Sequence, residues 1–70
     1  MAFSADDIFN ELYAFTRWIG YDHDPAERLA HHVMEEYGPG YVAAAKPGSV
    51  ERGTMFKAIA ATRRPGGGSA

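Results

Sequence analysis

The 70-residue chain is predicted to be all-α: a small helical bundle of two helices plus a C-terminal helix, with a disordered glycine-rich tail. Three observations predict it. Two segments carry strong helix start and stop signals, the apolar residues inside them recur at spacings of three and four, and the remaining segment alternates too raggedly for strands. Residues 1–64 make one domain, and residues 65–70 make the tail.

The first helix starts after Ser4, a good N-cap, with Asp7 placed to complete a capping box. Phe3 and Ile8 are spaced for a hydrophobic staple, Asp6 and Asp7 favour the positive end of the helix dipole, and Gly20 offers the left-handed residue that ends the helix after Ile19. On a helical wheel Ile8, Leu12, Phe15 and Ile19 form the core stripe, with Ala5 and Thr16 beside it. Phe9 and Tyr13 lie on one flank, about 100° and 140° from Ile8, and Trp18 lies about 80° away on the other.

The apolar arc is therefore too wide for one packed neighbour. Six of the nine aromatic residues fall between Phe3 and Tyr21. Either Tyr13 and Trp18 lie half exposed at the edge of a small core, or they belong to a binding surface.

The second helix begins at Pro25, where Asp24-Pro25-Ala26-Glu27 supplies a cap, a proline at the first helical position and an acid at the third. Leu29, Val33 and Tyr37, with Ala26, form its apolar stripe, and Gly38-Pro39 stops it at Tyr37. The short connector Tyr21-Asp22-His23-Asp24 implies an antiparallel or steeply crossed pair. From Pro39 onward the signals weaken. Ala43 to Ala45 fit a short helix or a connector. Ser49 is placed to cap a helix from Val50 to about Arg64, with Met55, Phe56, Ile59 and Ala60 buried; a hairpin turning at Pro47-Gly48 is the competing reading.

A core this small supplies roughly 3–5 kcal/mol of net stability. With no cysteine there is no disulfide to add to it, which is compatible with a reducing compartment. Self-association or docking on a larger partner is the favoured remedy. The opening residues lack the basic start and apolar run of a secretory signal, and the longest apolar stretch, Tyr41 to Ala45, is far short of the ~18–20 residues that span a bilayer. A cytoplasmic protein without membrane contact is expected.

Charge divides the chain. Residues 1–40 carry a net charge of −6 and residues 41–70 a net charge of +4. Attraction between the two halves is the plain explanation. As a functional reading, the acidic helices offer a docking face, either for a basic partner or as an imitation of phosphate charge that blocks a nucleic-acid-binding site. Conversely, Arg52, Lys57, Arg63 and Arg64 are the residues that would contact phosphates, though four basic residues make a weak footprint and the acidic half would repel the same polyanion. A helix-turn-helix fits poorly, because the Gly38-Pro39-Gly40 break does not lead straight into a basic recognition helix.

No catalytic constellation stands out. Ser4, Ser49 and Ser69 fall in caps or the tail, and Asp22-His23-Asp24 reads as a polar connector. Glu27, His31 and Glu35, with His23 near the start, rise along one helical face, but that face lies opposite Leu29 and Val33 and reads as solvated rather than metal-binding. No cofactor and no metal are expected.

The function expected is therefore non-enzymatic: a small regulator or inhibitor docking on a larger protein or complex. Phe9, Tyr13 and Trp18 would be its anchors and Asp6, Asp7 and Glu11 its charged rim. The alternatives are a nucleic-acid-binding accessory protein acting through its basic C-terminal segment, and a structural homo-oligomer.

Overall fold

A computed structural model describes residues 4–63. The chain is all-α, with α1 (Ala5–Trp18), α2 (His23–Tyr37), α3 (Pro39–Ala44) and α4 (Val50–Ala61), and no strand occurs among the described residues. The bundle thus has four helices rather than three, and the hairpin reading of the C-terminal half is set aside. The expected Phe3 staple, the tail at 65–70 and Arg64 lie outside the described residues.

Helix α1 is closed at both ends by local chemistry. The Ser4 hydroxyl accepts from the Asp7 backbone N–H at 3.2 Å, while the Asp7 carboxylate accepts from the Ser4 N–H at 3.0 Å. At the other end Gly20, at φ +117°, reverses the chain. Tyr21 N–H then reaches the Thr16 carbonyl and Gly20 N–H that of Arg17, the paired bonds of a Schellman motif.

Helix α2 begins two residues before the expected Pro25. Asp22 sits at the N-cap position without a side-chain cap bond, so Pro25 is the third helical residue. The shift costs nothing at the proline, because the first four N–H groups of a helix have no intrahelical partner. Gly38, at φ +88°, ends α2 and Pro39 opens α3 at once, so that of the Ala43–Ala45 stretch the first two residues are helical and Ala45 is the C-cap. Ser49 caps α4 through the Arg52 N–H at 3.0 Å, and α4 stops at Ala61 rather than near Arg64.

The core is built from Ile8 and Leu12 of α1, Ala30 and Val33 of α2, Val42 and Ala45 from the α3 region, and Met55 and Ile59 of α4. Alanines at 26 and 30 keep the buried face of α2 shallow, so α1 can approach it closely. Thr16 is fully buried, its hydroxyl donating to the Leu12 carbonyl, whereas Phe15 and Ile19 on the expected core stripe are only half-buried. Phe56 is likewise half-buried, and Ala60, expected inside, is exposed.

Helix α4 runs parallel to α1. Glu11 with Arg52, Phe15 with Phe56, and Tyr21 with Thr62 all meet at a separation of 41 residues. A constant separation is the mark of a parallel register. By contrast Phe9 meets His31 and Tyr13 meets His23, as an antiparallel α1–α2 pair requires.

Candidate functional site

The parallel register of α1 and α4 lays Phe15, Trp18 and Phe56 along one ridge. Phe15 meets Phe56 edge-on, with ring centroids 5.2 Å apart, and Trp18 stacks on Phe15 at 6.1 Å. Trp18 nevertheless stays 80% exposed. An indole so placed neighbours the Phe15 ring at an offset and offers most of its surface outward.

The other expected anchors sit elsewhere. Phe9 and Tyr13 are half-buried between α1 and α2. Phe9 packs on His31 at 4.5 Å, and the Tyr13 hydroxyl lies 2.7 Å from His23 Nδ1 while accepting from Arg17 at 3.3 Å. The expected three-residue surface is therefore split. Phe9 and Tyr13 serve the α1–α2 contact, and Trp18 lies on the α4 side with Phe15 and Phe56. Phe15 was assigned to the core stripe and Phe56 to an uncertain helix; only the packing of α4 beside α1 brings them to Trp18.

The expected acidic rim is also dispersed. Asp7 is engaged in the capping box, and Glu11 pairs with Arg52 at 2.6 Å. Asp6 and Asp7 occupy the first turn of α1, whereas Trp18 ends that helix of 14 residues, about 20 Å away. Three basic residues belong to this end of the bundle: Arg17, which precedes Trp18 and donates to the Tyr13 hydroxyl, Lys57, one position from Phe56, and Arg63, whose guanidinium lies beside Gly20 and 5.4 Å over the Tyr21 ring.

Of the residues considered for phosphate contact, Arg52 is 3% exposed, donating from Nε to the Ala45 carbonyl at 2.9 Å and from its guanidinium to Glu11. A side chain spent on an internal ion pair and on the carbonyl that ends α3 is not part of a basic surface. Lys57 and Arg63 are exposed.

At the opposite end of α1 an open groove of about 460 Å³ lies between Ala5, the C-terminal half of α2 (His31, Met34, Glu35) and the α2–α3 junction (Gly38, Pro39, Val42). It is lined mainly by apolar atoms, with Glu35 exposed beside it. No sequence signal pointed here, because the lining comes from three separate segments.

The histidine–carboxylate stripe of α2 is solvated as expected, with Glu27, His31 and Glu35 all exposed. Its member His31 packs on Phe9, and His23, Asp24 and Glu27 bring ligand atoms within 4.8 Å of one another. All three are exposed and lie in the opening turns of α2, where the positive end of the helix dipole opposes a cation. Ser4 and Ser49 are both occupied in N-caps. No protein-family model matches the chain, and neither a curated protein nor a solved structure does. No helix of the described residues is long and apolar enough to cross a membrane.

Proposed function

We propose that the chain is a small, non-enzymatic, cytoplasmic docking module, a regulator or inhibitor that binds a larger protein through the ridge of Phe15, Trp18 and Phe56. The observation that carries this reading is the 80% exposure of the chain's single tryptophan. Tryptophan is among the residues that supply the most binding energy at interfaces, and here Phe15 and Phe56 lie beside it, so a partner meets one continuous aromatic surface. Lys57 and Arg63 give the ridge a basic margin, so the complementary partner surface is apolar with acidic groups around it.

The nucleic-acid alternative loses Arg52 from its footprint, while Phe56, next to Lys57 in sequence, is joined in the fold by Phe15 as a stacking platform. Co-purification from the native cell, with the wild-type chain compared against Trp18→Ala and Phe9→Ala, tests the docking reading. It predicts proteins lost from the Trp18→Ala sample and kept with Phe9→Ala. The same set of proteins with all three forms contradicts it. Capture of DNA or RNA that weakens steeply with salt transfers the ridge to the alternative.

A further inference from the structure

The ridge and the groove belong to one small molecule, lie at opposite ends of α1, and complement each other. We infer that the Trp18 face also takes a second copy of this chain, head to tail, with Trp18 of one protomer seated in the groove formed by Ala5, Met34, Gly38, Pro39 and Val42 of the next. This inference rests on the docking reading in taking Trp18 as the anchor. It goes further in naming an occupant and in making self-association compete with any other partner.

Size supports the pairing. The groove holds about 460 Å³ and its lining is mostly apolar. An indole brings roughly 150–250 Å² of surface, and an open groove of this volume has room for one of its faces.

Charge supports it further. Asp6, Asp7, Glu35 and Glu36 are exposed on the segments that border the groove, with His31 beside them, while Arg17, Lys57 and Arg63 are exposed on those that border the ridge. Asp22 and Asp24 also lie near the end of α1, but on the connector and first turn leading into α2, whereas Trp18 faces α4 through Phe15. A head-to-tail contact brings the acidic margin of one copy to the basic margin of the next. A symmetric contact of Trp18 with Trp18 would instead oppose Lys57 and Arg63 to their own copies, so charge selects the heterologous arrangement.

Because ridge and groove lie about 20 Å apart along α1, a chain engaged at one end keeps the other end open. Assembly therefore continues past the dimer unless the rotation closes a ring.

The experiment is sedimentation of the full chain over a wide concentration range, read together with the emission of its single tryptophan. The variants are Trp18→Ala, which removes the knob, and Ala5→Phe, which fills the groove from an exposed position at the start of α1. The wild-type chain is expected to grow beyond two copies, with emission moving to the blue. Each variant alone should need roughly 30-fold or more higher concentration to associate, with the helical circular dichroism unchanged. An equimolar mixture of the two holds one intact knob and one intact groove, and so should form a complex of two chains and stop there. A mixture that stays monomeric where the wild type associates overturns the inference, as does a Trp18→Ala chain that assembles like the wild type. A wild-type chain that stays monomeric with solvent-exposed emission also overturns it, while partner capture that still requires Trp18 would leave the docking reading intact.

Discussion

Arg52 and Glu11 meet at 2.6 Å across the α1–α4 contact, with 3% of the arginine side chain and 51% of the glutamate exposed. The pair is lopsided. Arg52 has given up its water for Glu11 and the Ala45 carbonyl, whereas Glu11 remains half in solvent. One interaction thus ties the two oppositely charged halves of the chain together, fixes the α4 register and closes the end of α3.

Arg52→Ala is expected to destabilise the fold by about 2–4 kcal/mol, because it deletes a buried stem together with its ion pair. Glu11→Gln should cost less, about 1–2 kcal/mol, since the half-exposed partner is screened and the amide still accepts a hydrogen bond. Urea unfolding followed by circular dichroism measures both. Equal effects would mean that burial of the arginine is not the dominant contribution.

Gly20 cannot be replaced cheaply. At φ +117° a Cβ would be strained by the backbone and would meet the Arg63 guanidinium at 3.2 Å. Gly20→Ala should cost about 1–3 kcal/mol, whereas the same change at Gly53, inside α4 with nothing near its Cβ position, should stabilise by about 0.5–1 kcal/mol. Thermal unfolding of the two variants checks the opposite signs.

Leu12 is fully buried, and Leu12→Ala should remove about 2–5 kcal/mol. That spans the whole stability of a core this size, roughly 3–5 kcal/mol, so the variant is expected to be largely unfolded at 37 °C. A cooperative melting transition within a few degrees of the wild type would show that the core is stapled by something beyond these four helices.

Trp18→Ala should leave stability within about 0.5 kcal/mol, since exposed positions rarely contribute more. The contrast with Leu12 separates a residue that holds the fold from one that serves an outside contact. A loss above about 2 kcal/mol by urea titration would place Trp18 in the fold's own energetics instead.

Local signals carried far in this chain. Ser4, Asp7 and Gly20 delimit α1, Gly38-Pro39 ends α2, and Ser49 opens α4, because caps and positive-φ glycines act within a few residues. Two things depended on distance. The burial of Arg52 is created by Glu11 and Ala45, 41 and 7 residues away, and an arginine read alone belongs at the surface. The aromatic ridge was legible in part: the wheel put Trp18 on its own flank, away from Phe9 and Tyr13, but Phe56 joins it only through the parallel α1–α4 register, which no local pattern encodes. The early start of α2 was missed because proline is tolerated anywhere in the first turn, not only at its first position.

The central claim is that position 18 faces another macromolecule. It is tested most directly by placing a photo-crosslinking amino acid there in the native cell, with the exposed position of Arg28, on the outer side of α2, as the control. Discrete protein adducts from position 18 and none from position 28 are the predicted result; no adduct at 18, or the same adducts from both, would contradict it.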